Sequence, residues 1–446
     1  MDGASASEAE ATWMVKKTVS LLAFAALVSC RGAAPAANSI PDGTANVAIT
    51  VPVSHAVNTS FKASGRAILL DGKPFFVKGI AYSPTPIGKT VGDVPLLDDP
   101  LRNANKPIWS RDLPLMVAMG VNAIHVYNVA PPGFDQQTGP IVQFLNAAWN
   151  GGKKPVYVLM SVYFTGDQLL NDAAVKAIAK KYHDLDKKYA AFPAVMGVTI
   201  GNEIGTPQFI ANPTWWKNFN IVANAARRGF ADGGAPGKLV TTSEADYDLA
   251  PVQKGEQNKA AVDVWGVNIY RGRTVTSLFT QIRSYTKKPV MLTEYGASAA
   301  RHTKLKNTYS WVNTPAGLGV CKPTAPSGVQ ATNDVEQLPT SGNPNMAGLV
   351  DAASNVTKQL YAGYKADRVV SGGFYFEWND EWWKGNAATP AVHSGTVKFR
   401  NYYPSCNEDQ GWYGLNAVAK GRGTLDALTP RATLPAIKKI WLTEKP

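Results

Sequence analysis

Short apolar runs and longer amphipathic segments alternate along this chain from about residue 75 to its end. Runs rich in Val, Ile, Tyr or Phe fall at 75–82, 122–129, 155–163, 195–202, 239–244, 263–270, 289–294 and 372–378, and each reads as a strand. Between them, apolar residues recur at helical spacing over 111–119, 140–149, 172–189, 215–230, 275–285 and 352–364. The weakest helical pattern lies between the fifth and sixth strands. A last helix is predicted over 434–441, with Thr433 placed to cap it and Pro435 in its first turn. Eight strands in β–α alternation, without a Gly-x-Gly-x-x-Gly turn, predict an α/β fold: a single-domain (β/α)8 barrel rather than a doubly wound sheet.

Two departures from the alternation add detail. Ahead of the first strand, two apolar runs flank Asp71-Gly72, the signal of a tight hairpin; in a barrel this hairpin is placed to plug the bottom. Residues 295–351 and 379–427 are long connections after the seventh and eighth strands. Insertions there sit on the C-terminal face, where barrel enzymes bind substrate.

The 446 residues divide into an export signal (1–30), a tether (31–60) and the barrel domain (61–446). Lys16-Lys17 precedes an apolar stretch at 18–29 that is too short to span a bilayer and reads as the core of a signal peptide. Met14 makes a better start for it than Met1, because Asp2, Glu8 and Glu10 spoil a positive leader. Leu27-Val28-Ser29-Cys30 resembles a bacterial lipobox, with Cys30 the residue to be acylated; Arg31 in place of Asp points to the outer membrane. Of the three cysteines, Cys321 and Cys406 remain as a candidate disulfide in an exported protein. Five scattered His offer no metal-ligand spacing, and neither metal nor cofactor is expected. The net charge of +12 suits anionic polysaccharide or lipid headgroups. Its basic residues are dispersed, without a nucleic-acid-reading motif, which argues against nucleic acid as a partner.

The chemistry is carried by two glutamates. Val195-Met-Gly-Val-Thr-Ile-Gly-Asn202-Glu203 ends the fourth strand, and Val290-Met-Leu-Thr-Glu294-Tyr-Gly ends the seventh. Strand ends on that face point into the mouth, where the two carboxyl groups can meet. Retaining glycosidases need such a pair ~5–5.5 Å apart, one as acid/base and one as nucleophile. The acid/base must hold a proton, which burial and a second carboxylate favour; the nucleophile must stay ionised, which hydroxyl or cationic donors favour. Asn202 is placed to reach a sugar hydroxyl. Glu377, Asp380 and Glu381, with Trp382-Trp383, form an acidic and aromatic cluster that reads as a sugar-binding rim or as a loop held by buried Trp.

These strings resemble the retaining (β/α)8 glycosidases, and within that clan the β-1,3-glucanosyltransferase family of fungal cell walls. The resemblance covers roughly residues 75–300. It rests on Phe76-Val-Lys-Gly-Ile-Ala-Tyr82-Ser-Pro, Arg111-Asp-Leu-Pro-Leu, Gly120-Val-Asn-Ala-Ile-His-Val-Tyr127, Gly201-Asn-Glu-Ile, Ser243-Glu-Ala-Asp246, Trp265-Gly-Val-Asn-Ile-Tyr270 and Thr293-Glu-Tyr-Gly. It implies Glu203 as acid/base, Glu294 as nucleophile, Tyr270 hydrogen-bonded to that nucleophile, and Tyr82, Tyr127 and Asp246 around the sugar. It also implies Trp378 as the aromatic platform under the ring. One position departs. His125 stands where the family has Arg, and the expectation is that its imidazole reaches Glu294 and, when protonated, helps keep it ionised. Hydrolysis and transfer share one intermediate, and these motifs do not separate them. A β-mannanase or β-galactosidase of the same clan, or a silent glycan-binding lipoprotein, are the alternatives.

Overall fold

The computed structural model describes residues 59–90, 106–129, 138–302, 309–313, 319–323, 335–337, 344–384, 389–393, 410–421 and 425–446. All of them belong to one compact unit, His55–Pro446. Thr59 and Ser60, assigned above to the tether, are already bonded into it: the Thr59 hydroxyl donates to Pro193 O, and Ser60 N–H donates to Asp71 Oδ1.

The fold is a (β/α)8 barrel. Its strands are Val77–Ala81, Ala123–His125, Tyr157–Ser161, Val195–Thr199, Leu239–Thr241 continued by Glu244–Ala245, Trp265–Asn268, Val290–Tyr295 and Gly372–Tyr375. Each pairs in parallel with the next, and the eighth returns to the first with Gly372 opposite Val77. The ring closes through the broken fifth strand. Its first piece pairs with the fourth strand, its second piece pairs with the sixth, and a Thr241–Val264 bridge joins them across. The break falls at residues 242–243, directly beside the mouth.

The helices fall where the apolar spacing predicted them, as Lys106–Met119, Thr138–Trp149, Asp172–Tyr189, Pro213–Asp232, Thr276–Tyr285, Pro344–Asp367 and Thr433–Thr443. The weakly patterned segment after the fifth strand forms a short helix, Ala250–Gln257. Thr433 is a correction. It is the first residue inside the last helix, Ala432 is the N-cap without a side-chain bond, and the Thr433 hydroxyl is buried.

Two apolar layers result. The outer one lies between sheet and helices and takes Ile80, Ile124, Val126, Val158, Met160 and Val198 from the strands. The inner one fills the bottom of the barrel with Val77, Ala123, Tyr157, Leu159, Met196, Leu239, Val264, Met291 and Phe374. Gly79 is required there: a Cβ would sit 2.3 Å from the Phe374 ring. The predicted hairpin does plug this end. Its turn is Asp71-Gly72, with φ of 50° and 79°, the doubly left-handed two-residue loop that matches strand twist. It delivers Phe61, Ile68 and Phe75 into the inner layer. Phe61 and Phe75 meet Tyr157 edge-on at ring separations of 4.9 and 5.6 Å.

Candidate active site

Alternation along the strands decides what faces the mouth. Positions in step with the inner layer point inward, and these include Ala81, His125, Tyr127 and Phe376. Above the bottom layer, Ala81, Phe376 and Tyr413 form a small apolar cluster against Tyr127 and Tyr270. Phe376 lies edge-on to Tyr127, Tyr270 and, more tilted, Tyr413 at 6.5, 6.3 and 5.6 Å.

Glu294, on the seventh strand, is 6% exposed. Tyr127 O–H donates to its Oε1 at 2.8 Å and Tyr270 O–H to its Oε2 at 2.5 Å. Both hydroxyls favour the charged form. Burial and the neighbouring Glu203 charge act more strongly the other way and push the Glu294 carboxyl up to about 7, while Lys384 opposes them. The electrostatic influence of Glu203 on Glu294 brings the two predicted carboxyls into one site.

Glu203 differs from the expectation of a buried acid. Its side chain is exposed in the open mouth, held by Asn268 Nδ2–H donating to Oε1 at 3.1 Å. The turn that presents it is unusual: Gly201 has φ of 68° and Glu203 itself 53°. A left-handed non-glycine residue costs on the order of 1 kcal/mol or more. Glu203 N–H donates to Ser243 O at 2.6 Å, tying the turn to the break in the fifth strand.

Asn268 was not singled out in the sequence, yet it organises this side of the mouth. It is 1% exposed and its Oδ1 accepts from Thr293 and Ser243 hydroxyls at 2.8 and 3.0 Å. Its amide donates to Asn202 Oδ1 as well as to Glu203. The Ser243 hydroxyl also lies 2.7 Å from Asn202 Oδ1, so its single proton is shared between the two amide oxygens. These donors occupy the Asn202 oxygen and leave its amide nitrogen as the donor end of the side chain. Asp246 is engaged differently, by a two-pronged bond with Arg271 at 2.6 Å for each arm.

Three expectations are corrected. Tyr82 is out of step with the inner layer; it is fully buried in the outer layer, and its hydroxyl donates to Asp112 on the helix Lys106–Met119 at 3.0 Å. Trp378 is likewise in the outer layer, 2% exposed, beside the same Asp112. The aromatic presented by the eighth strand is Phe376, two residues earlier. His125 is inside the barrel, one layer below the mouth. Its ring packs 4.4 Å from Tyr127 and 5.8 Å from Phe374. Burial drives its pKa down to about 4 against the weaker pull of the Thr293 backbone carbonyl, and neither ring nitrogen meets hydrogen-bond geometry. A neutral imidazole is no counter-charge for Glu294. That part falls to Lys384, which lies 4.5 Å over the Phe376 ring, 3.9 Å from Glu377, and against Glu381.

The acidic cluster after the eighth strand is buried. Glu377, Asp380 and Glu381 are 2%, 1% and 0% exposed. Asp380 pairs with Arg431 at 2.6 Å. Burial and then the adjacent Glu381 hold Glu377 well above the usual carboxylate range. His393 stacks between Trp382 and Trp412. Cys30 and Cys406 lie outside the described residues, and of Cys321 the backbone alone is described, in the strand Gly319–Pro323.

No family model matches the chain. It is similar to a 1,3-beta-glucanosyltransferase of Arthroderma benhamiae, 23% identical over 321 residues that cover 68% of this chain and 56% of the relative. It is also similar to the 1,3-beta-glucanosyltransferase gas5 of Schizosaccharomyces pombe, 25% identical over 267 residues covering 55% and 48%. The chain thus spans about half the length of the curated relatives it matches. Among solved structures, Saccharomyces cerevisiae Gas2p in complex with laminaritriose and laminaritetraose superposes with a TM-score of 0.51 at 15% identity, over 87% of this chain and 69% of that one. A GH2 beta-galacturonidase from Eisenbergiella tayi superposes with a TM-score of 0.51 at 13% identity, over 87% and 54%. The structural likenesses agree with the barrel described above, and the sequence likenesses are to 1,3-beta-glucanosyltransferases.

Proposed function

We propose that this chain is a retaining glycoside hydrolase or transglycosidase acting on β-linked glucan of the β-1,3 type. Glu294 attacks the anomeric carbon while Glu203 protonates the departing glycosidic oxygen; Glu203 then deprotonates the incoming water or sugar hydroxyl that releases the covalent glycosyl-enzyme. The observation that carries this reading is the arrangement around Glu294: a buried carboxyl with two tyrosine donors, electrostatically coupled to an exposed Glu203 across the mouth. Two such groups titrate as a coupled pair, and the first step needs the proton on Glu203 and Glu294 ionised. A sugar seated in the mouth covers Glu203 and removes its water, which raises its hold on a proton. Phe376 offers an aromatic face to the ring, and the Asn202 amide a donor to a ring hydroxyl.

The test is chemical rescue. With an aryl β-glucoside bearing a good leaving group, Glu203→Ala should recover turnover in azide and yield the β-glucosyl azide, because azide needs no base. Absence of rescue, or an α-configured product, would sink the assignment. The same reading includes export, acylation at Cys30 and a Cys321–Cys406 bridge. Mass mapping of non-reduced peptides from the membrane fraction tests these, and two free thiols or an unmodified Cys30 would refute them.

A further inference from the structure

Behind Glu203 lies a third carboxyl that the reaction above does not use. Glu244 begins the second piece of the broken fifth strand and is 1% exposed. Its Oε2 accepts from Gly205 N–H at 2.9 Å, two residues after Glu203. Oε1 is buried and meets no hydrogen-bond partner among the described residues. Gly205 fits this contact closely, since a Cβ there would lie 2.6 Å from Oε2. The preceding residue, Ser243, holds the same turn from the other side by accepting Glu203 N–H. Consecutive residues 243 and 244 therefore clasp 203 and 205. Asn268 adds the side-chain contact to Glu203.

We propose that Glu244 is a positioning residue for Glu203: its buried carboxyl fixes the left-handed turn that presents Glu203 and acts on Glu203 through its charge. The inference rests on Glu203 being the acid/base. Among the described residues, the titratable groups that face Glu244 are Glu203 and Tyr247. Val267, its partner on the sixth strand, and Ile210, which packs on Gly205, bring no charge. Burial pushes Glu244 up to about 7, with the Gly205 N–H opposing and the Glu203 charge adding. Glu244 therefore becomes charged on the alkaline side of neutrality, where an acid catalyst is about to lose its proton. A negative neighbour there delays that loss and extends the active range upward.

Two variants separate charge from geometry. Glu244→Gln removes the charge and keeps an acceptor for Gly205 N–H; Glu244→Met removes both at similar volume. On a natural β-glucan, the basic limb of kcat/KM should move down by roughly one pH unit in both, with kcat falling further in the Met variant. On an activated aryl glycoside, which needs no acid in its first step, that limb should not move. An unmoved basic limb on the natural substrate in folded Gln variant overturns the proposal. Should neither variant fold, carboxyl ¹³C titration compares wild type with Glu203→Gln. Glu244 should titrate lower when Glu203 is neutral, and an unchanged midpoint overturns the coupling. A wild type inactive on every β-glucan would instead remove the functional reading, while the titration would still judge the contact.

Discussion

The two ends of the barrel are built from the same strands and obey opposite rules. At the bottom, Phe61, Ile68 and Phe75 enter among Tyr157, Leu159, Met196, Met291 and Phe374, an apolar plug with edge-on aromatic contacts. At the mouth, Glu294, Glu244, Glu377 and Glu381 are buried with few charges to balance them. Burial of an apolar ring contributes roughly 2–3 kcal/mol, whereas burial of a carboxyl opposes folding unless it is protonated or well bonded. The difference teaches where stability and function reside: the strand starts hold the barrel shut, and the strand ends carry groups that the rest of the molecule must support.

The sharpest way to break that contrast is to neutralise the mouth. Glu294→Gln should lower turnover by several orders of magnitude and yet stabilise the fold at alkaline pH. The wild-type carboxyl is raised in the folded state, from an ordinary 4.5 to about 7. Its contribution is therefore fully present below pH 4.5 and lost as pH rises through 7. Glutamine has no such loss, so the variant should gain on the order of 2–3 kcal/mol over wild type near pH 8, read by denaturant melts at pH 5 and 8. Wild-type activity in the variant, or the same stability difference from wild type at pH 5 and at pH 8, would contradict it.

The converse change empties the plug. Phe61→Ala should cost about 3–5 kcal/mol while leaving kcat close to wild type at temperatures where the variant stays folded. A variant that keeps its melting temperature would show that the hairpin does not support the barrel.

His125 sits between the two ends and sharpens the boundary. Its folded pKa is depressed from 6.5 to about 4, so the stability it contributes is present above pH 6.5 and lost as pH falls toward 4. His125→Phe should flatten the acid side of the stability curve by on the order of 2 kcal/mol and leave the acidic limb of kcat/KM in place. Movement of that limb would restore the imidazole as a counter-charge. The smallest effect concerns a donor. Tyr127→Phe should slow turnover about tenfold, the scale of one lost hydrogen bond to a charged group, and move the acidic limb to higher pH, because the bond favours ionised Glu294.

The strand series, the hairpin turn and both strand-end glutamates were legible in the sequence. Trp378 has the parity of Phe374 and Phe376 but lies past the end of the strand at Tyr375, where the alternation no longer holds; Tyr82 was misplaced for another reason. Strands of a parallel barrel are buried on both faces, so inward and outward positions are equally apolar and the period-two signal vanishes. Val77-Lys-Gly-Ile-Ala-Tyr82 gives no sign that Ala81 faces the mouth and Tyr82 a helix. Register against the plug supplies it. Asn268 was missed for a related reason, since a buried Asn looks unremarkable until Thr293, Ser243 and Asn202 converge on it.

By itself the sequence determined the alternation of elements, and with it the barrel and the face on which strand ends gather. It also determined which residue types stand at those ends. Tertiary structure alone decided which oxygen meets which donor. It buried Glu294 while leaving Glu203 open, left His125 neutral beneath the mouth, brought Lys384 near in its place, and set Glu244 behind the turn of Glu203. Local spacing fixes elements because backbone bonds and side-chain period act over a few residues. Charge state depends on depth and on neighbours that are distant along the chain, and closing the ring is what brings these together.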